Sequence, residues 1–514
     1  MHIGLLPRIH AARFPEKTAA RDPRRSVTYE ALERRANRLA RGLLSLNVRK
    51  GDLVGIVLGN RVEHLEAAFA VAKAGAVGVP IDPAGTAAEF SRMAGFFGVS
   101  TFVVEEAAAD NLLWGLEGGG EGEAEGRGAD AFNLVVVGDR AQDARLGYED
   151  LIEREEDGPP EVTVSERDPF MVMLTSGTTG TPKGCVVSHG AYLYRCLSYS
   201  AEFKMDSDEL EVVGLPLFLG AGRGSTFACL ALGASVILEP RFDPVRFLEI
   251  VTREKVTTFS LVPTAFQSLV DEVDSLDFDG SALRSMRNTG SSIPMDLRRE
   301  IRGKISPHLY QTYASVDTGI MTVLRPDEME GDPTRAGRPI WGMELKIADP
   351  NGRDLPAGEV GEIVSRGPLA SDGYYRNPEA TAAALFGEWF RTGDVGCVDR
   401  EGYVYVRGRI KNLIKSGGRS VFPDEIEAAL LAHPHVQEAA VFGVPDPKWG
   451  EAVHAAVAPK AGETLSPEDL LEHCAAQLSR FKRPKRIHVM AGLPRGNLGK
   501  VSIETLKKSV GPEG

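Results

Sequence analysis

The chain has 514 residues, 43% of them hydrophobic and 25% charged, and a formal net charge of −13. That length exceeds one ordinary domain and that composition is soluble and globular, so two or more packed units are expected. The acidic balance excludes a general affinity for nucleic acid or anionic lipid, so an anionic ligand must be held by local cations and backbone donors.

The N-terminal string MHIGLLPRIHAARFPEK has no apolar stretch of signal-peptide length. The longest apolar run, at 227–238, falls short of the about 20 residues that span a bilayer. A cytoplasmic protein, off the membrane, is the expectation. Cys185, Cys196, Cys229, Cys397 and Cys474 show no metal-ligand spacing. Their odd number suits reduced thiols rather than a closed disulfide framework.

Along the chain, Leu32, Ala36, Leu39, Ala40 and Leu43 recur at helical spacing and predict a helix over 27–48. A branched apolar strand (52–60), a helix (64–76) and another strand (77–82) follow, which predicts α/β layers around a mostly parallel sheet. The Gly/Glu-rich segment 115–130 reads as a mobile surface loop, because the alternation resumes directly after it. From about residue 335 the pattern turns strand-rich with Gly and Pro punctuation. After Arg407 a helix, two strands and a helix form a compact α+β unit.

The strongest chemical signal is Thr175, Ser176, Gly177, Thr178, Thr179, Gly180, then Thr-Pro-Lys183, entered by the apolar run FMVMLT. A strand emptying into hydroxyls and glycines offers many N–H and O–H donors to one anion, and Lys183 adds a positive charge. It is not a Walker A loop, because its Lys follows Pro and no Ser or Thr comes next.

With this string the chain resembles the superfamily of adenylate-forming enzymes: acyl- and aryl-CoA synthetases, peptide-synthetase adenylation domains and beetle luciferases. Further motifs follow in that family's order across nearly the whole chain. The segment from Tyr310 through Gln311, Thr312, Tyr313, Ala314, Ser315 and Val316 to Asp317 resembles the family's Tyr-Gly-x-Thr-Glu. Gly290, Ser291 and Ser292 stand where the family has Gly-Ala-Pro, and the string ending in Asp394 is similar to its Arg-Thr-Gly-Asp. The segment Arg409, Lys411, Lys415, Gly417, Gly418 resembles its hinge, and the string ending in Lys500 its C-terminal catalytic motif.

The resemblance implies a large domain over 1–408 with layered α/β sheets and a distorted β-barrel-like subdomain. It also implies a small mobile α+β domain over 409–514. It implies ATP, Mg²⁺ and coenzyme A as cofactor and co-substrates, and a small carboxylic acid as substrate. The residue roles it implies are these. Tyr313 stacks on adenine, and Gly290 to Ser292 line its edge. Asp317 holds Mg²⁺, while Lys183 meets the pyrophosphate. Asp394 accepts the ribose hydroxyls, an apt use of a carboxylate, and Arg409 contacts ribose or phosphate. Lys500 reaches the reacting oxygens, Lys411 is the swivel, and Lys415, Gly417 and Gly418 line a pantetheine channel.

The chain departs from the family at Ala314, Val316 and Asp317, where Gly, Thr and Glu are usual. Val316 has no hydroxyl, and Asp317 is one methylene shorter yet still a hard oxygen ligand. Phe218, Leu219, Gly220 and Gly222 would wall the acyl pocket, with Leu219 where many relatives carry His. Small residues there stand either for room for a bulky apolar acid or for close helix packing. No acid stands in that stretch for a substrate ammonium, which speaks against an amino acid. Arg223 could pair with a second substrate carboxylate, although a structural arginine is its commoner fate.

The function expected is an acid–CoA ligase for an apolar, bulky or aryl acid. Two alternatives stay open: transfer of the acyl group to a separate carrier protein, and a luciferase-like oxygenase. A homodimer is the prior for a soluble enzyme.

Overall fold

The computed structural model describes residues 1–118, 131–138, 146–175, 183–417, 419–460, 462–495 and 501–510. Most of the expected loop 115–130 therefore lies outside the described residues. The chain divides into two compact units, one of residues 1–345 with 365–390, the other of 346–364 with 391–514. Among the described residues no helix is long and apolar enough to cross a membrane. All five cysteines are unpaired and buried.

In the first unit the predicted helix runs Tyr29–Ser45, opened by Thr28, whose hydroxyl accepts from the Ala31 amide. Its predicted stripe, Leu32, Ala36, Leu39, Ala40 and Leu43, is fully buried. The predicted strands and helix that follow are Leu53–Val57, Val62–Lys73 and Val77–Pro80. Leu53–Val57 pairs in parallel with Val77–Pro80 on one side and Thr101–Glu105 on the other. These strands belong to an eight-stranded sheet whose other end carries Pro169–Thr175, Lys183–Ser188 and Gly373–Tyr374. A second sheet in this unit contains Leu210–Val213, Thr258–Leu261, Ser285–Asn288 and Leu309–Ser315 in parallel. It turns antiparallel at Gly319–Leu324. Strands buried on both faces read as continuous apolar runs, which is why Leu53–Val57 lacks alternation.

Glu344–Ala348, Gly361–Arg366, Trp389–Val398 and Val404–Arg409, which fall mostly in the second unit, are successive neighbours in an open sheet. The expected barrel-like subdomain is corrected here: closure needs the first strand of such a series to pair with its last, and these run on as an open series. The C-terminal part has a five-stranded sheet of its own, built on the long antiparallel pair Val436–Asp446 and Gly450–Pro459. Helices Pro423–Leu431 and Pro467–Gln477 pack on it around Ile426, Leu430, Val453, Val457 and Leu470. That is the α+β pattern of two strands between two helices read from the sequence.

Candidate active site

In the first unit the strands Pro169–Thr175 and Lys183–Ser188 are antiparallel, with Thr175 opposite Lys183. Ser176, Gly177, Thr178, Thr179 and Gly180 lie outside the described residues, as do Gly418 and Lys500. The Lys183 ammonium stands 5.1 Å from the centre of the Tyr374 ring. Tyr374 lies opposite Cys185 on the strand that begins at Lys183. Tyr374 was not among the residues singled out in the sequence.

Asp317 is held by its backbone too. Its carbonyl accepts from the Ser371 amide at 2.7 Å and from Nη2 of Arg195 at 3.2 Å. Arg195 is itself anchored by Nε donating to the Leu369 carbonyl at 2.8 Å. Oδ1 of Asp317 is buried without a hydrogen-bond partner. Burial pushes the Asp317 carboxyl above its ordinary range, against the nearby Tyr374 hydroxyl and the Arg195 charge. Burial also pushes the neighbouring Cys185 thiol up to about 12, with Asp317 adding to it, so this cysteine is an inert thiol. An orphaned, desolvated carboxylate oxygen suits Mg²⁺, which takes one or two carboxylates and completes its shell with phosphate oxygens and water.

The turn after strand Ser285–Asn288 is built by side chains from the neighbouring strand. Gly290 has φ +89°, a left-handed value that glycine takes without strain. Asn288 Nδ2 donates to the Ser291 carbonyl at 2.7 Å, and Thr312 Oγ1 donates to the Asn288 carbonyl at 2.9 Å. Gln311 is buried, its Oε1 accepting from the Ile293 amide and from Arg298. Gln311 and Thr312 therefore shape the turn from within, while Gly290, Ser291 and Ser292 are exposed. Tyr313 is half-buried and Ala314 exposed on the same strand. Ser315 spends its hydroxyl on Thr318 at 2.8 Å, and Val316 packs against the main core.

At the expected acyl wall the small residues belong to a helix, Gly220–Leu232. A Cβ on Gly222 would lie 2.5 Å from the Leu215 carbonyl oxygen, so close packing requires this glycine. A Cβ on Gly220 would meet nothing within 4 Å, so that position borders open space. Phe218 and Leu219 are half-buried beside it. The loop that carries them is clamped by Asn60, which donates to Leu215 O at 3.1 Å and accepts from Leu217 N at 2.8 Å. Arg223 is 1% exposed and donates to the Leu217 and Phe218 carbonyls at 3.0 and 3.1 Å. It is a structural arginine.

In the second unit Asp394, 4% exposed, pairs with Arg409 at 2.9 Å. Lys411 sits exposed in the short turn Ile410–Asn412 just beyond. Lys415 is exposed, with its amide donating to Glu451 at 2.7 Å. Gly417 has φ +58°, and a Cβ there would approach the Trp449 ring to 3.0 Å. Lys448 and Lys485 each place an ammonium 5.0 Å from the centre of that same ring, an arrangement suited to cation–π attraction. Trp449 was also missed in the sequence, where a single lysine, Lys448, stands beside it.

Residues 8–375 match the model of the AMP-binding enzyme family, and residues 425–500 match the AMP-binding enzyme C-terminal domain. A feruloyl-CoA synthase of Amycolatopsis sp is 33% identical over 99% of both chains. An indoleacetate–CoA ligase of Aromatoleum aromaticum is 32% identical over 98% of this chain and 96% of its own. The structure of the anthranilate CoA ligase AuaEII with anthranoyl-AMP matches with a TM-score of 0.89 and 25% identity, covering 99% of this chain and 97% of that one. The chain belongs to the AMP-binding enzyme family, in the branch of ATP-dependent, AMP-forming acid–CoA ligases.

Proposed function

We propose that the protein joins an apolar, bulky or aryl carboxylic acid to coenzyme A through an acyl-adenylate. The observation that carries the substrate class is the acyl wall: half-buried Phe218 and Leu219 beside open space at Gly220, with Arg223 spent on the backbone. Relatives named for feruloyl, indoleacetate and anthranilate substrates support the same class.

In the first step a carboxylate oxygen attacks the α-phosphorus of ATP, the α–β bridging bond breaks and pyrophosphate leaves. Both reactants are anionic, so preorganised cations and donors must offset the repulsion and stabilise the charge of the transition state. Lys183 and the loop from Thr175 to Gly180 would hold the departing phosphates, and Lys500 the reacting oxygens. Tyr313 and the turn Gly290–Ser292 would hold adenine. Asp394 would take the ribose hydroxyls, with Arg409 beside them. Asp317 would hold Mg²⁺, whose chemistry is to neutralise charge on the phosphate oxygens.

In the second step the CoA sulfur attacks the acyl carbon and AMP leaves. For that step the part beyond Arg409 would turn about Lys411 and withdraw Lys500. Lys415, Gly417 and Gly418 would then line the pantetheine path, with Trp449 as its apolar wall. Glycines permit that close approach of backbone to a thin chain.

The test is pyrophosphate release from a panel of aryl, long-chain, dicarboxylic and amino acids, with thioester formation followed on addition of CoA. Aryl acids should lead the panel and yield a CoA thioester. A clear preference for amino or dicarboxylic acids would overturn the substrate class. Adenylation that yields product only with a carrier protein would overturn the acceptor.

A further inference from the structure

Two glycines and a phenol continue the acyl wall inward. Gly220 and Gly224 lie one turn apart on the same face of the helix Gly220–Leu232. Beyond its chain neighbours and its own helix backbone, a Cβ on Gly220 would meet no described atom within 4 Å. A Cβ on Gly224 would meet only the Tyr199 hydroxyl, at 3.2 Å. Gly220 is exposed, Gly224 half-buried and Tyr199 9% exposed, so this strip of free space runs from the surface inward and ends at a hydroxyl.

Tyr199 comes from the helix His189–Phe203, and its ring is held by its neighbours. The Phe203 ring centre is 5.3 Å away, and the Arg287 guanidinium stands 5.5 Å from the centre of the Tyr199 ring. Arg287 is itself anchored by Glu211 at 2.9 Å and by Ser260 Oγ at 2.9 Å. The Tyr199 hydroxyl hydrogen-bonds no group among the described residues. Burial pushes it above the ordinary tyrosine range, so it stays protonated and can donate. An unpaired buried donor is costly, and a ligand oxygen lodged over Gly224 would satisfy it.

We propose that Tyr199 is a specificity residue of the acyl pocket, donating a hydrogen bond to an oxygen on the ring of an aryl acid at the end remote from its carboxylate. Ring-hydroxylated aryl acids are then the preferred substrates. This rests on the reading of the acyl wall as the substrate pocket. A phenol that only packs between helices predicts no preference between ring-hydroxylated acids and their unsubstituted forms.

The test is pyrophosphate release by the full chain with ATP and Mg²⁺. The acids are the 4-hydroxy and unsubstituted forms of benzoic, phenylacetic and cinnamic acid, and the variants are Tyr199→Phe and Gly224→Ala. In the skeleton that reacts best, the hydroxylated acid should show the higher kcat/KM by about tenfold, the upper scale of one neutral hydrogen bond. Tyr199→Phe should bring that ratio close to one. An unchanged ratio overturns the proposal, and so does a fall of both acids alike, which is what a packing role gives. An unaltered protein that uses the two forms equally overturns it as well. If none of these acids releases pyrophosphate, the aryl substrate class itself fails, and the role of Tyr199 with it. If Tyr199→Phe does not fold, Gly224→Ala carries the test: its methyl takes the space beside the hydroxyl and should lower the same ratio, and an unchanged ratio overturns the proposal.

Discussion

Arg409 forms an ion pair with Asp394, Nε to Oδ1 at 2.9 Å, and the two residues stand directly opposite each other in the ladder of Trp389–Val398 and Val404–Arg409. The pair is lopsided: the Asp394 side chain is 6% exposed and that of Arg409 51%. An ion pair with one end in water contributes about 1 kcal/mol or less to stability. If the arginine serves the nucleotide, its loss should be felt in binding instead. Arg409→Ala should shift the thermal midpoint little and raise the KM for ATP about tenfold or more, as for loss of a charge-assisted contact. A large loss of stability with an unchanged KM would make the pair purely structural.

Val316→Thr tests the departure in the magnesium segment. A threonine there regains the hydroxyl usual in the family, and one hydrogen bond to a charged group is worth about 1.5–3 kcal/mol. The side chain also packs against the main core, so part of that gain is offset by burying a hydroxyl. Pyrophosphate exchange should hold or rise. A large fall in a folded protein would assign Val316 a role of its own in shaping the segment.

The C-terminal part should lose stability as pH rises from the ordinary carboxylate range to about 7, because of Glu427. Burial pushes this carboxyl up to about 7, against the Val441 amide, which donates to Oε1 at 2.8 Å. The folded state therefore keeps its proton after the unfolded chain has released it. Between the ordinary carboxylate range and about pH 7 the unfolded chain binds fewer protons, so stability falls across that window and is level above it. Glu427→Gln keeps an acceptor for the amide without the charge. It should match the unaltered protein at acid pH and exceed it by about 1–3 kcal/mol at pH 8. Denaturant titrations at several pH values measure this, and parallel curves for the two proteins would contradict it.

What the sequence made legible was whatever is encoded in contiguous residues. The stripe of Tyr29–Ser45 follows from 3.6-residue periodicity, and the strand emptying into the loop before Lys183 from local composition. The register that sets Tyr374 opposite Cys185 has no local signature, because sheet pairing joins segments nearly two hundred residues apart. The same holds for Arg195, which reaches the Asp317 carbonyl from a distant helix. Gly220 and Gly222 read alike in sequence. Only their surroundings separate them, open space for one and the Leu215 carbonyl for the other. Gln311 and Thr312 sit in a motif of ligand-facing residues, yet their side chains serve the turn.

Gly417 has a left-handed φ of +58°, its amide donates to the Trp449 carbonyl at 2.7 Å, and a Cβ would press on the Trp449 ring at 3.0 Å. A branched residue there meets both backbone strain, about 1–2 kcal/mol in that region, and the indole. If Gly417, Lys415 and Trp449 line the thiol path, Gly417→Val should cut thioester formation from supplied acyl-adenylate and CoA. Pyrophosphate exchange, which needs no thiol, should stay near its original rate. Lys500→Ala should do the reverse, lowering adenylate formation by on the order of 10²–10³, the usual cost of one transition-state donor. Thioester formation from supplied adenylate should survive that change. Two opposite selectivities are what a hinge with two working poses requires, because each face of the C-terminal part is needed for only one half-reaction. Equal damage to both steps by either variant would contradict the two poses, and no damage from Lys500→Ala would remove that residue from the site.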